Sequence, residues 1–236
     1  MKPIAIFRHT PTEGPGYCAT FLSAHSIPTQ LIAIDTGDAV PDDPGLFSGL
    51  VFMGGPMSVN DDLPWIYQSL ALIRQAVARD IPVIGHCLGG QLMAKALGGV
   101  VSRNPAKEIG WGDVTVLDNP AAHEWFGPAA STHFNAFHWH GETFSIPQGA
   151  TRILESANCP NQAFVLGKHL GMQCHVEMTT EMVKNWCEVG TDEIAANPVP
   201  SVQTAKLMLE NLEQHVAELN AVAAILYGRW IAGLAA

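Results

Sequence analysis

The sequence predicts an α/β protein: a central, mostly parallel sheet with helices on both faces and a mixed or antiparallel extension. Three observations carry this expectation. Up to Leu97, short and very apolar runs alternate with helical patterns, as they do where parallel strands are buried on both faces. Between Val100 and Cys174, strand-like segments crowd together. From Ser201 onward, apolar residues recur at three- and four-residue steps.

Taken in order, Pro3–Phe7 is a first strand and Tyr17–His25 a helix. Gln30–Ile34 is a second strand ending at Asp35, and a turn-rich stretch runs from Thr36 to Phe47. Gly49–Met53 forms a third strand that stops at Gly54-Gly55-Pro56. Pro64–Arg79 is a helix with proline near its start, where a missing N–H is tolerated. Ile81–Ile84 is a fourth strand and Leu88–Leu97 a helix. The extension comprises Asp113–Leu117, Ala136–Trp139, Arg152–Ala157, Ala163–Leu166 and Gly171–Cys174. A stripe of Ala205, Leu209, Leu212, Val216, Leu219, Ala223, Leu226 and Trp230 then predicts one or two helices packed on the sheet. The expectation is one domain over residues 1–236, with its helical C-terminal segment starting at about residue 201.

Composition narrows the function. The chain has 236 residues, 47% of them hydrophobic and 14% charged, with a net charge of −10. An acidic chain repels phosphate backbones, so no nucleic-acid partner is expected. No apolar run reaches the length of a membrane span. The run from Met1 to Phe7 meets Arg8-His9 too soon for a signal peptide. Five scattered cysteines fit free thiols in a reducing cytoplasm, which is the expected location.

The most informative segment is Gly85-His86-Cys87-Leu88-Gly89, where an apolar strand ends and a helix begins. A nucleophile between two close glycines sits on a strained strand-to-helix elbow and is presented above the carboxyl edge of the sheet. The helix N-terminus there favours a thiolate. On this segment alone, a buried structural cysteine is nearly as good an explanation. A thiolate needs a base and the base an orienter. His175-Val176-Glu177 closes the last strand candidate, and residues two apart on a strand share a face.

These residues carry a resemblance. Gly54-Gly55-Pro56, Gly85-His86-Cys87-Leu88-Gly89-Gly90-Gln91 and Gln173-Cys174-His175-Val176-Glu177 resemble, in order and spacing, the three motif blocks of class I glutamine amidotransferases. Glu108-Ile109-Gly110-Trp111 and Trp139-His140-Gly141-Glu142 resemble secondary blocks of the small stand-alone branch. His86 fills a slot that is usually aliphatic, and Cys174 and Val176 stand where the family often has Phe and Pro. The resemblance implies a flavodoxin-like fold and a Cys87–His175–Glu177 triad. It implies an oxyanion hole from the N–H groups of Gly55 and Leu88, and substrate contacts from Gln91, Gly54 and His140. Cys87 would cleave the γ-glutamyl amide of glutamine or of a γ-glutamyl small molecule through a thioester, releasing ammonia or an amine. No cofactor or metal is called for. The partner would be a separate synthase subunit that receives the ammonia; a free-standing hydrolase of γ-glutamyl peptides or conjugates is the alternative. The Gly54–Pro56 turn can rest flipped away from the oxyanion, so an isolated dependent subunit is expected to be slow on glutamine.

Other signals are weaker. A non-catalytic binding module on the same fold lacks a reason to carry all three triad residues. A cysteine variant of the α/β-hydrolases would place its acid well before its histidine. Gly14-Pro15-Gly16-Tyr17-Cys18-Ala19 imitates a dinucleotide fingerprint but stands too far from the first strand, and Pro15 removes a donor. His133, His138 and His140 suggest zinc only without a spaced cysteine or carboxylate set, so hydrogen-bonded strand histidines are expected instead. Cys18, Cys159, Cys174 and Cys187 are expected to pack, and Asp61-Asp62 to lie in a solvated loop or rim the pocket.

Overall fold

In the computed structural model, residues 1–127 and 132–234 are described. Side chains alternate along a strand. In β1 (Ile4–Arg8), Ile4 and Ile6 therefore enter one buried layer, while Ala5 and Phe7 enter the other. β3 (Gly49–Phe52) and β4 (Val83–His86) are buried throughout. Strands without a polar face need cover on both sides. Residues of α1 (Gly16–Ala24) and α8 (Leu212–Ile231) pack with Ile4, Ile6 and Val51. Residues of α2 (Pro64–Ala78) and α3 (Leu88–Ala96) pack with Phe7, Leu50 and Phe52.

The remaining strands are β2 (Thr29–Ala33), β5 (Val101–Val116), β6 (His133–Phe144), β7 (Thr151–Ser156), β8 (Ala163–Leu166) and β9 (His169–Met172). All nine join one mixed sheet in the order β2-β1-β3-β4-β9-β8-β7-β5-β6. The first five in that order run parallel, with the flavodoxin-like arrangement. From β9 outward the pairings are antiparallel, which is the expected extension. Ile84, Gly85 and His86 register with Leu170, Gly171 and Met172, so the chain leaves β4 and β9 side by side at one edge.

The structure departs from the sequence expectation in the second half. β5 and β6 are far longer than Asp113–Leu117 and Ala136–Trp139. They form a ribbon whose polar residues, such as Arg103, face solvent, with a register shift between Arg103 and Glu108. β9 lies two residues earlier than Gly171–Cys174, because His169 is buried in it, accepting a hydrogen bond from the Val83 N–H at 3.2 Å. His175 is therefore beyond the strand, held by an isolated bridge to Phe137. Helices α4 (Pro120–Phe126), α5 (Thr180–Val189) and α6 (Thr191–Ala196) are additional. Asn119 and Thr179 cap α4 and α5, accepting from the N–H groups of Ala122 and Met182. The C-terminal stripe resolves into α7 (Ala205–Leu209) and α8. No described helix is long and apolar enough to cross a membrane.

Candidate active site

Cys87 stands between β4 and α3 with φ +51° and ψ −107°, a conformation that non-glycine residues rarely adopt. The glycines around it hold this turn. A Cβ on Gly89 would lie 2.1 Å from the Phe52 carbonyl oxygen, and one on Gly85 2.4 Å from the Gly89 carbonyl. Neither backbone can give way, so β4, β3 and α3 approach only because side chains are missing. The Cys87 N–H donates to the Met172 carbonyl at 2.8 Å, tying the elbow to the end of β9.

That end of β9 carries the second group. His175 exchanges backbone hydrogen bonds with Phe137, and the Trp186 ring meets its imidazole edge-on at 4.8 Å. Its Nδ1 lies 2.6 Å from Glu177 Oε1, both side chains buried. An ionised carboxylate only accepts, so Nδ1 carries the proton and Nε2 is directed elsewhere. Nε2 has no nitrogen or oxygen partner among the described residues, and Cys87 is its neighbour. Burial opposes a charged imidazole, but the charges of Glu177 and Cys87 outweigh it and hold the His175 pKa well above 6.5. For Glu177, burial pushes upward, yet His175 and then His86 bring it down to about 2. The sequence expectation of a Cys87–His175–Glu177 grouping thus corresponds to three side chains at one place.

Around them opens a cavity of about 520 Å³, lined among others by Cys87, Gln91, Gly55, Glu13, Trp139 and Trp186. Gln91 donates to Gln173 Oε1 at 3.1 Å, and Gln173 in turn donates to Cys87 Sγ at 3.5 Å. The Leu88 N–H is the first of α3 and has no partner within the helix. Gly54 lies behind the cavity wall: a Cβ there would be 2.0 Å from Glu13 Oε2 and 3.2 Å from His175 Cε1. His140 is committed elsewhere. Its Nδ1 donates to the Glu142 carbonyl at 2.9 Å and its Nε2 lies 3.0 Å from Glu108 Oε2. It contacts the cavity wall with its ring turned toward Glu108 and Glu142, its Nε2 making no hydrogen bond among the described residues.

The fold also assembles what spacing hides. Among the described residues, Glu108, His140 and Cys159 form one group of potential metal-ligand atoms. The Glu108 carboxylate is already engaged by Ser156, Gln162 and His140, and Cys159 Sγ lies 3.2 Å from Thr143 Oγ1. Most of these groups are hydrogen-bonded, although His140 Nε2 and Gln162 Oε1 are buried without a hydrogen-bond partner among the described residues. His138 lies 3.3 Å from the Gly112 carbonyl. Asp61 and Asp62 bond locally to Ser58 and Tyr67 in an exposed loop. Burial raises the thiol pKa of Cys18, Cys174, Cys159 and Cys187.

Two neighbours, Glu13 and His9, escape sequence reasoning because they are distant in the chain, and so do the contacts of a third, His86. Glu13, in the loop after β1, is pushed by burial to a pKa of about 7, His175 opposing the shift. His9, at the end of β1, is fully buried beneath Gly54 and Gly55. His86 Nε2 lies 2.9 Å from the Tyr227 hydroxyl of α8 and 3.9 Å from Glu177 Oε2. Their only sequence signal is position: His9 and Glu13 follow a strand whose carboxyl end faces the elbow.

Comparison with known proteins follows the same lines. The family model for glutamine amidotransferase class-I matches residues 23–186. A solved glutamine amidotransferase of Methylobacillus flagellatus is 46% identical with a TM-score of 0.96, covering 100% of this chain and 96% of its own. The glutamine amidotransferase-like protein YfeJ of Salmonella typhimurium (strain LT2) is 36% identical over 67% of this chain and 69% of its own length. A glutamine-hydrolysing GMP synthase of Pediococcus pentosaceus is 32% identical over 58% of this chain, but only 26% of that longer protein is spanned.

Proposed function

We propose, for a chain that belongs to the class I glutamine amidotransferase family, that it hydrolyses γ-glutamyl amides through a Cys87 thioester, with His175 as acid and base and Glu177 as its orienter. The observation that carries this is the 2.6 Å Glu177–His175 contact behind a cavity-facing Cys87 at a strained elbow. Cys87 Sγ attacks the amide carbon, and the N–H groups of Gly55 and Leu88 receive the developing oxyanion. Protonated His175 gives its Nε2 proton to the leaving nitrogen as the C–N bond breaks, leaving a γ-glutamyl thioester. Neutral His175 then takes a proton from water. The resulting hydroxide attacks the thioester, the C–S bond breaks, and glutamate and the Cys87 thiolate are released. Gln91, joined to Gln173, borders the substrate. The chain works in the cytoplasm, without a cofactor.

Two sub-readings differ in what leaves. The GMP synthase relative joins a matching segment to a longer remainder, which supports a dependent subunit passing ammonia to a synthase. The size of the cavity supports a free-standing hydrolase, because such a volume suits a ligand larger than glutamine alone. The test is steady-state kinetics of the purified chain on glutamine and on γ-glutamyl dipeptides, measuring glutamate and the released amine. Rapid dipeptide turnover without a partner supports the hydrolase. Slow turnover of every substrate, with Cys87 still alkylated, supports the subunit. No turnover and no alkylation at Cys87 refutes both.

A further inference from the structure

We infer that His9 is a positioning residue that fixes the Gly54–Gly55 peptide with its N–H toward the oxyanion, so that the site is assembled without a partner. This rests on the proposed thiol hydrolysis and adds how its electrostatic half is held. His9 Nδ1 lies 3.1 Å from the Met53 carbonyl oxygen and 3.2 Å from that of Gly54. Carbonyls only accept, so Nδ1 is the protonated nitrogen and donates to both. In a trans peptide, C=O and N–H point in opposite directions, and none of the described bonds is cis. His9 is buried and is not part of the cavity wall, whereas Gly55 is. With the Gly54 carbonyl drawn toward His9, the Gly55 N–H turns the other way, toward the cavity. It has no protein acceptor among the described residues.

Two glycines in succession make this peptide easy to rotate. The flipped form would set the Gly55 N–H against the His9 N–H, donor facing donor, and point a carbonyl oxygen at the anion. His9 itself is held flat: its ring stacks on Trp65 at 4.8 Å, and a Cβ on Gly55 would be 3.2 Å from the His9 Cβ. A second observation sets this histidine apart from a packing ring. Its Nε2 is buried without a partner among the described residues. Such an atom is unfavourable, and a phenylalanine of the same shape would avoid it. The histidine is therefore placed for its Nδ1–H.

The experiment compares the full chain with His9→Phe, which keeps the stack and loses the donor, and His9→Asn, which keeps a donor close to Nδ1. Three quantities are read: kcat and KM on the best γ-glutamyl substrate, affinity for the aldehyde analogue glutamate γ-semialdehyde, and the rate of Cys87 alkylation by iodoacetamide. The aldehyde forms an oxyanion-bearing adduct; alkylation does not. His9→Phe should lose roughly tenfold in kcat, up to the ~10²–10³ of a lost oxyanion donor. Aldehyde affinity should fall in parallel, while KM and alkylation change less than about twofold, and His9→Asn should recover most of the loss. Should His9→Phe fail to fold, His9→Gln replaces it, since its amide reaches toward Nε2 and leaves the Gly54 carbonyl without a donor. The inference is overturned if the donor-less variant keeps kcat and aldehyde affinity within twofold, or if alkylation falls equally, which would mean general damage to the site. A wild-type chain with neither turnover nor Cys87 alkylation refutes the hydrolase itself and the role of His9 with it. Active wild-type and equally active His9→Phe refute only the latter.

Discussion

Acidification from pH 6.5 to pH 5 should weaken the fold through histidines that are buried neutral. Burial lowers His9, His138 and His169 from 6.5 to about 4, with smaller opposing contributions from backbone bonds or nearby carboxylates. In the unfolded chain each binds its proton near pH 6.5; in the folded chain it does so only near pH 4. Between those values the unfolded state holds more protons, so stability rises with pH and falls on acidification. At pH 5 each histidine has forfeited about 1.5 pH units, or ~2 kcal/mol, and three forfeit ~6 kcal/mol. Glu13 acts oppositely: its folded pKa of about 7 against 4.5 unfolded makes the folded state the tighter proton binder in this window. Over this window of about 1.5 pH units it returns at most ~2 kcal/mol. These four groups together lose about 4 kcal/mol, which for a chain of this size lowers Tm by roughly 8–16 °C, and His86, also lowered by burial, acts in the same direction. Urea unfolding curves at half-unit pH steps measure it. His138→Asn should remove one proton from the slope and recover about 2 kcal/mol of the pH-dependent loss. A stability that is flat between pH 6.5 and 5, or an unchanged slope in His138→Asn, would show that these rings are not buried in neutral form.

Other perturbations address the site directly. An electrophilic glutamine analogue should label Cys87 alone, because burial keeps the other four thiols protonated; peptide mapping that places the label on Cys18, Cys159, Cys174 or Cys187 contradicts this. His175→Ala should reduce kcat by roughly 10²–10⁴, and Glu177→Ala by less, since the latter leaves an imidazole in place. Folded variants that both retain near-native turnover would move the base to another residue, with His86 or His140 tested first. Gly89→Ala drives a Cβ to 2.1 Å from the Phe52 carbonyl and should destabilise the fold by at least ~1–3 kcal/mol, read as a lower Tm. A Tm within one degree of wild type would falsify the tight packing described at the elbow.

What the sequence made legible divides by the range of the signal. β1, β3 and β4 and their helices follow from local hydrophobic runs, because strands covered on both faces cannot carry polar residues. Cys87, His175 and Glu177 are visible through short motifs whose glycines and spacing have a mechanical reason. The β5–β6 ribbon is not visible in the same way. Arg103, Asn104, Lys107 and Glu108 interrupt its apolar pattern, since one face meets water and the other a buried polar network. β9 is displaced because His169 counts as polar in the sequence but is buried in the fold. The caps at Asn119 and Thr179 were readable signals for α4 and α5. His9 and Glu13 were not, as no residue near them in the chain reveals that Gly54 lies between them. Likewise His86 meets Tyr227 only because α8 returns across the sheet.

The adjacency of β4 and β9 also dictates when function can emerge during folding. β1 to β4 pair with one another within the first part of the chain, so the strands leading to Cys87 can assemble from nearby segments before α8 and β9 complete their cover. His175 arrives only when β9 pairs beside β4, after the ribbon and β7–β8 have closed a long loop of chain. Long-range pairing is the slow step of such topologies. A refolding population should therefore pass through a stage that carries a shaped but baseless thiol, open to alkylation before it can turn over substrate. Catalytic competence becomes a clock for the final strand insertion, and the lag between pairing of β1 to β4 and recovered activity measures that event.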